Sequence, residues 1–393
     1  KQLLSKNIYG IDVKEDAVQL TVFSLSLVLC DMLDPKVIWK ELKFDDLDLF
    51  FENNLKSADF FALLRAGDFG KESFDLVIGN PPFDEKLGEH GEKVEAERQQ
   101  KVRLSLPEYT EFLSQFPHAE GIVKECTTIR DDSVCLSIDS FSKENKKTLG
   151  TEVFQSLKTH LPPTIPKQQV ALLFLEQAMT VCKPDGLLCL ILPAGPFLYN
   201  NYATEFRTYF LKKYPVPQIF DFTALAEVLF GSSSVAAIAV FAKKGGELPK
   251  KLLHITFRRT KTSKEKFYFE LDHYDFHRIS YQEALENNFV WKANFLGGGR
   301  LKHLTSKLSS FRKLGDYLQE KVKSDLWTIG EGFILANKKE EIDKLEIFHD
   351  RSKEDLSQSE RKELERLEKK YKQAAYLTGK KTLPVKAFTE VGI

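Results

Sequence analysis

The chain has no long hydrophobic run and no excess of charge of one sign. No apolar stretch reaches about 18 residues without a charged residue, which excludes a transmembrane helix of ordinary length. Lysine plus arginine and aspartate plus glutamate each number 57 among 393 residues, so the net charge is zero and no overall field attracts nucleic acid. Any such attraction must come from local patches.

Cysteines are few, and other signs of metal or nuclease chemistry are weak. The five cysteines are odd in number and lie mostly in apolar segments, which indicates reduced thiols rather than a disulfide framework. His273 and His277 have a spacing that metal ligands use, but no cysteine accompanies them and no clear helix carries them, so no metal site is predicted. Pro184-Asp185 precedes Gly186, which is typical of a turn and not of a nuclease centre. With 42% hydrophobic and 29% charged residues, we expect a cytoplasmic globular protein of two or three domains.

A run that is apolar except for Asp75, Phe74 to Gly79, is followed at once by Asn80-Pro81-Pro82-Phe83. Such a run predicts a buried central parallel strand that delivers a loop to the carboxyl edge of an α/β sheet, where these folds place their sites. The prolines fix the backbone, and Pro81 keeps Asn80 out of the helical region. The loop then offers the Asn80 side-chain oxygen and the Pro81 carbonyl as acceptors, and Phe83 as an aromatic face. An amine on a flat base requires about that set, and a plain turn after a buried strand is the alternative.

This tetrapeptide resembles the catalytic motif [DNS]-P-P-[YFW] of the amino-methyltransferases that use S-adenosylmethionine, most closely the N6-adenine DNA methyltransferases of the large restriction-modification type. The resemblance spans about residues 7 to 245 and involves several motifs in the family's order. It implies an α/β fold with a Rossmann-like methyltransferase sheet, S-adenosylmethionine as cofactor and double-stranded DNA as partner. Asn80, Pro81, Pro82 and Phe83 would then be catalytic.

The segment from Asn7 to Val18 predicts a short apolar strand, 8–11, that ends in an acid before a helix. An acid at the tip of the second strand of a Rossmann-like sheet typically accepts hydrogen bonds from ribose hydroxyls, so the resemblance assigns Asp12, with Val13 beside it, to the cofactor. A turn or helix N-cap role for Asp12 is the alternative. The family's glycine-rich loop precedes this acid by about twenty residues. Because the acid is already residue 12, we expect a piece of a longer polypeptide whose sheet is incomplete at its amino end.

Three further residues are assigned to the cofactor by the resemblance. Asp59, at the end of a predicted strand, would accept a hydrogen bond from the cofactor's adenine amine, and Phe60 would pack on the adenine ring. Phe174 would touch the cofactor from the helix of the segment 166–193, which continues as a Lys-Pro-Asp-Gly turn and a buried strand over 187–192. Ordinary core packing explains both phenylalanines nearly as well.

The segment 218–244 predicts a strand, a loop and a second strand over 235–241. In the adenine enzymes an aromatic residue of this loop stacks on the flipped base, opposite the aromatic residue of the catalytic loop. Phe230 occupies that place, and would be substrate-binding. A loop phenylalanine tucked under the sheet is the alternative.

The chain is predicted to contain a methyltransferase catalytic domain, 1–245, and a mixed α+β region, 246–393. Residues 84–165 are polar and read as an insertion over the active face, where loops usually contact substrate. The resemblance makes 246–393 a linker and the start of a target-recognition domain, with fused or associated nuclease and specificity domains as further partners. No membrane partner is expected.

Near the carboxyl end a helix is predicted. Ser357 and Glu360 form a capping box, and Leu364, Leu367 and Tyr371 recur at helical spacing. This pattern is typical of a solvated amphipathic helix.

The resemblance thus implies a site-specific DNA methyltransferase that acts on the N6 amine of a flipped adenine within a restriction-modification system. Two alternatives stay open. The same tetrapeptide serves methyltransferases of glutamine side chains and of guanine amines in RNA. The chain could also be a noncatalytic DNA-binding module of a restriction-modification protein, its activity lost with the glycine loop.

Overall fold

The computed structural model describes residues 6–41, 54–68, 73–130, 133–229, 235–258 and 271–297, and shorter stretches between 301 and 371. The chain divides into two units, Lys1–Thr305 and Ser306–Ile393.

The first unit begins with two short parallel strands and three helices. They are β1 (Gly10–Asp12), α1 (Glu15–Asp31), α2 (Pro35–Glu41), β2 (Leu55–Ser57) and α3 (Phe60–Ala66). Gly10 of β1 lies opposite Leu55 of β2, and the Ala58 N–H donates to the Asp12 carbonyl at 2.9 Å. The ends of both strands, each followed by a predicted cofactor residue, therefore lie side by side.

The next part of the chain contains the predicted catalytic strand and a separate small layer. The elements are β3 (Phe74–Gly79), α4 (Gly88–Arg98), β4 (Lys101–Ser105), α5 (Leu106–Gln115), α6 (Glu120–Glu125), β5 (Thr127–Arg130), β6 (Ser133–Ser137) and α7 (Lys143–Thr159). Strands β4, β6 and β5 pair in that order as an antiparallel sheet. Val102, Leu136 and Leu157 lie in a core that belongs to this layer alone. The predicted insertion thus contains a folded layer, and its place over the active face stays a prediction.

The remaining elements of the first unit complete a large sheet. They are α8 (Val170–Val181), β7 (Cys182–Pro193), α9 (Thr204–Lys213), β8 (Gln218–Asp221), α10 (Ala226–Leu229), β9 (Ala237–Lys243), β10 (Lys251–Thr256), β11 (Phe276–Ser280), α11 (Tyr281–Glu286) and α12 (Phe289–Gly297). The six strands are ordered β11-β10-β8-β9-β7-β3. β3 and β7 are parallel, β8 and β10 are parallel, and β9 and β11 run antiparallel to their neighbours. A mixed α/β fold with a central mixed sheet is confirmed, and its Rossmann-like detail stays a prediction.

The helix α8 packs against this sheet because it has almost no polar face. Leu172, Leu173 and Leu175 are fully buried, together with Leu188, Leu190 and Leu192 of β7. Such continuous apolar surfaces supply the main core.

The predicted turn lies inside β7 and not before it. Asp185 has a left-handed φ of 64°, and a Cβ atom on Gly186 would lie 2.8 Å from the Lys183 carbonyl oxygen. The residues between Cys182 and Leu187 form a bulge in β7, which shifts its register against β3 between Phe74 and Leu76, and the bulge requires glycine at position 186.

The bounds predicted for the catalytic strand are confirmed, but its burial is not. In the described part of the chain β3 lies at the end of the sheet and pairs only with β7. Leu76 is 56% exposed and Ile78 is 71% exposed. The prediction of a buried central strand is therefore wrong for these residues, because the face of β3 that carries these side chains is largely uncovered and no described strand pairs with its second edge.

The second unit contains α13 (Leu314–Lys323) and α14 (Gln358–Tyr371). The predicted capping box is confirmed, since the Ser357 N–H donates to Glu360 Oε2 at 2.8 Å and the Glu360 N–H donates to Ser357 Oγ at 3.3 Å. Leu364 and Leu367 are buried in a small cluster with Leu345 and Leu356. No described helix of the chain is both long and apolar enough to cross a membrane.

Candidate active site at the carboxyl edge of the sheet

The candidate site lies where β3 and β7 end. Gly79 is opposite Leu190 in this parallel pair, so the loops that leave both strands emerge at one edge of the sheet. A Cβ atom on Gly79 would lie 3.2 Å from Leu190 Cδ2, which shows how closely the last residue of β3 approaches β7. The loop that begins at Asn80 is therefore next to the loop that follows Pro193.

The four residues of the Asn80 loop differ in exposure. Pro81 is buried and Phe83 is half-buried against the main core, whereas Asn80 and Pro82 are exposed. In the described part of the chain the Asn80 carboxamide has no hydrogen-bond partner. Pro81 and Phe83 thus anchor the loop while Asn80 presents its side chain at the surface.

A contact that the sequence analysis missed holds the far side of this loop. The Val170 N–H donates to the Asp84 carbonyl at 3.2 Å, and Gln169 Nε2 donates to Glu85 Oε1 at 3.1 Å. Gln169 is only 3% exposed. The sequence signal for this contact was Gln169 itself, a polar residue directly before the apolar first residues of α8.

The two predicted cofactor carboxylates make local hydrogen bonds. Asp12 Oδ1 accepts from the Lys14 N–H at 2.8 Å, and Asp59 Oδ1 accepts from the Ala62 N–H at 2.9 Å as the N-cap of α3. Asp12 thus has the local turn role that was the alternative to cofactor binding, and Asp59 has the N-cap role that is common for aspartate. Within the described residues, the second oxygen of each carboxylate has no partner. Val13, next to Asp12, is 67% exposed.

Aromatic side chains follow Asp59 directly in the chain. Phe60, directly after Asp59, stacks on Phe174 with ring centroids 5.0 Å apart, and Phe61 lies 4.5 Å from Phe174. Phe60, Phe83 and Phe174 all pack on the same core. The structure therefore brings Phe60 and Phe174 into direct contact and places Phe83 on the same core. Phe230 lies outside the described residues.

A buried polar network at the end of β8 was not predicted. Tyr199 donates to Asp221, the Thr223 N–H donates to Asp221 Oδ1 at 2.9 Å, and His254 Nε2 lies 3.4 Å from Asp221 Oδ2. Burial acts to raise the pKa of Asp221, but the hydrogen bonds from His254, Thr223 and Tyr199 outweigh it and hold the pKa below its ordinary value. Asn294 Nδ2 supports His254 Nδ1 at 3.3 Å. Asp221 thus forms hydrogen bonds both with Tyr199, in the loop after β7, and with Thr223, in the loop after β8.

A model of the Eco57I restriction-modification methylase family matches residues 6–115 and 140–228, which together make up about half of the chain. The chain belongs to this family. Every residue of the candidate site between Asp12 and Asp221 lies inside the matched ranges. The unmatched residues 116–139 contain α6, β5 and β6 of the small layer. The family model therefore does not cover this part of the chain.

Solved structures of restriction-modification proteins are similar to this Eco57I-family chain. A type I methyltransferase subunit from Streptococcus thermophilus is 16% identical, with 62% of this chain and 43% of that chain covered and a TM-score of 0.32. The M protein of the type I enzyme EcoKI is 11% identical, with 66% and 48% covered and a TM-score of 0.31. A nuclease-deletion mutant of the type ISP enzyme LlaGI, solved with a DNA substrate mimic, is 11% identical, with 67% and 26% covered and a TM-score of 0.31. The chain spans less than half the length of each. The comparison with curated proteins gave no match.

Proposed function

We propose that the chain carries a DNA methyltransferase site, which moves a methyl group from S-adenosylmethionine to the N6 amine of an adenine flipped out of duplex DNA. The observation that carries this proposal is the Asn80–Phe83 loop at the carboxyl end of β3, in a chain of the restriction-modification methylase family.

On the target side, the chain supplies two hydrogen-bond acceptors. The amine of adenine is a poor nucleophile because its lone pair is delocalised into the ring. The Asn80 side-chain oxygen and the Pro81 carbonyl accept hydrogen bonds from the two N–H groups of the amine. These bonds orient the amine and stabilise the positive charge that develops on it. Asn80 is exposed, and neither acceptor has a hydrogen-bond partner among the described residues, which supports this role.

The base must leave the duplex first, because its amine cannot reach a cofactor inside the base stack. Phe83 then stacks on the extruded ring from one side, and Phe230 from the other in this proposal. Each stack contributes about 1–3 kcal/mol. The half-buried position of Phe83 fits this role, since its ring is fixed on the core but not enclosed by it.

S-adenosylmethionine, when bound, supplies an electrophilic methyl group on a sulfonium sulfur. The residues present fit its nucleoside part, which needs carboxylate acceptors and an apolar surface. The free oxygens of Asp12 and Asp59 would accept from the ribose hydroxyls and the adenine amine. Val13 is 67% exposed and offers apolar surface beside Asp12, and Phe60 and Phe174 form a stacked pair beside Asp59.

The domain assignments belong to the same proposal. Residues 84–165 would contact DNA, and residues 246–393 would lead into a target-recognition domain. Nuclease and specificity domains, fused or associated, would complete the restriction-modification system. The strands β10 and β11 extend the central sheet, so the first part of 246–393 is built onto the proposed catalytic fold.

Tritium transfer from labelled cofactor to DNA, followed by nucleoside analysis, tests the proposal. We expect the label in N6-methyladenine. Asn80→Ala should lower transfer by about 10²–10³ and leave cofactor affinity nearly unchanged, because Asn80 faces the amine and not the cofactor. Gln218→Ala, at the start of β8 and so at the opposite edge of the sheet, is the control and should transfer normally. Label in glutamine or guanine with none in adenine, or normal turnover by Asn80→Ala, would contradict the proposal.

A further inference from the structure

Two consecutive residues next to the Asn80 loop have an unusual backbone. Lys167 and Gln168 have left-handed φ angles of 47° and 53°. Residues with a Cβ atom rarely adopt this region, and they do so where the surroundings impose it. Here both flanks are fixed, since the Gln169 N–H donates to the Pro166 carbonyl at 3.0 Å and the Val170 N–H donates to the Asp84 carbonyl at 3.2 Å. The result is a rigid tip with both side chains exposed.

The Lys167 side chain reaches the loop that follows β7. Its Nζ atom lies 4.6 Å from the centre of the Tyr202 ring, a distance typical of a cation–π contact. The Tyr202 hydroxyl accepts from Asn200 Nδ2 at 2.8 Å, which fixes the ring that holds the lysine. Within the described residues Lys167 forms no ion pair, so its charge is not neutralised there.

Three segments therefore meet at one edge of the sheet. The Asn80 loop follows β3, the turn with Tyr202 follows the neighbouring strand β7, and the tip with Lys167 is bonded to the first of these and touches the second. An unneutralised ammonium group is thus held beside the proposed methyl-transfer site. Because the net charge of the chain is zero, attraction to DNA must depend on such local cations.

We propose that Lys167 binds one backbone phosphate of the DNA strand that carries the target base, and that Tyr202 positions the Lys167 ammonium. The inference rests on the proposed function and adds a substrate contact to it. Phosphate contacts set the register of a protein on DNA, and each one releases counterions, so its loss is visible in the salt dependence of binding.

The test is the affinity of the chain for a fluorescein-labelled duplex of mixed sequence, measured by anisotropy at several salt concentrations. Lys167→Gln should reduce the slope of log affinity against log salt by about 0.9, the value for one phosphate contact. Lys167→Arg should restore the slope. Lys212→Gln is the matched control, because Lys212 is exposed at the end of α9, just before β8 begins, at the opposite edge of the sheet. Tyr202→Phe keeps the ring but loses the hydrogen bond from Asn200, so it should weaken binding less than Tyr202→Leu, which removes the ring.

Two results would count against the inference in different ways. Equal slopes for the wild type, Lys167→Gln and Lys212→Gln, with adenine methylation intact, would overturn the phosphate contact alone. No binding of DNA by the wild type would overturn the proposed function and the contact with it. A thermal melt of each variant shows that the comparison is made between folded proteins.

Discussion

Replacing Glu176 by glutamine is expected to destabilise the first unit by about 3 kcal/mol. Glu176 is 4% exposed in α8, and its carboxylate contacts Arg98 Nε, the Tyr209 hydroxyl at 2.7 Å and Lys213 Nζ at 3.3 Å. Burial acts to raise the pKa of Glu176, but the charges of Lys213 and Arg98 outweigh it and keep the pKa below its ordinary value. The carboxylate is therefore ionised and neutralises cations on α4 and α9.

The magnitude follows from what the substitution leaves behind. Removing one partner of a buried ion pair costs about 3–5 kcal/mol, because the other charge stays buried without compensation. Arg98 retains the Glu95 carboxylate at 3.0 Å and the Pro163 carbonyl at 2.7 Å, which places the expected loss at the lower end. At about 2–4 °C for each kcal/mol in a domain of this size, the melting temperature should fall by roughly 6–12 °C.

Urea denaturation at neutral pH measures this loss, with Glu97→Gln as the control. Glu97 is also in α4, but its ion pair with Arg65, at 2.8 Å, joins side chains that are 43% and 36% exposed. Such a surface pair contributes at most about 1 kcal/mol. A loss for Glu176→Gln no larger than that of Glu97→Gln would refute the reasoning.

The difference in the free energy of unfolding between the wild type and Glu176→Gln should become smaller at acid pH. Because the folded pKa of Glu176 is lowered, its ionised form stabilises the fold above the unfolded value of 4.5. That contribution is lost as the pH falls through the folded pKa, where the wild-type carboxylate becomes neutral like the glutamine. A gap in stability that widened below pH 4.5 would contradict this sign.

Two further outcomes are expected. Burial raises the pKa of the Cys182 thiol to about 11, so at neutral pH almost no thiolate forms and the native protein should not be labelled there by a disulfide reagent. The wild type and Cys182→Ala should then show the same number of fast-reacting thiols, and one fewer in the variant would contradict the prediction. Phe174→Leu keeps apolar volume but removes the ring that stacks on Phe60 at 5.0 Å, so it should weaken binding of S-adenosylmethionine in calorimetric titration while costing less than about 1.5 kcal/mol of stability. Unchanged cofactor affinity would make Phe174 a core residue only.

The predictions that succeeded depend on neighbours in sequence. The bounds Phe74–Gly79 follow from one apolar run closed by glycine and proline, and the capping box of Ser357 and Glu360 depends on residues three positions apart. The predicted strand 8–11 is shifted, since β1 is Gly10–Asp12, because the pairing with β2 and not the apolar run sets its limits. Local patterns thus locate elements better than they define their ends.

The features that were missed depend on contacts between distant residues. The Asp221–His254 contact joins residues 33 positions apart, and His254 meets Asn294 across 40 positions. No sequence pattern near Asp221 predicts these partners. The burial of β3 was also misjudged, because an apolar run indicates a strand but not how many neighbours the strand has. Gln169 was overlooked since its partner, Glu85, lies 84 positions away.

Among the described residues β3 has one unpaired edge, and this affects the motion of the loop that follows it. A strand held on one side has fewer interactions to break, so its amide groups are expected to exchange with solvent through local opening at a lower free energy than those of β7 or β9, which have neighbours on both sides. Asn80 is the first residue beyond that strand. The order of its loop depends on the packing of Pro81 and Phe83 and on the contacts of Asp84 and Glu85 with the start of α8. This edge strand of the described sheet and the residue proposed to hold the reacting amine thus form one continuous segment, so a contact that reduces the fluctuations of one also orders the other.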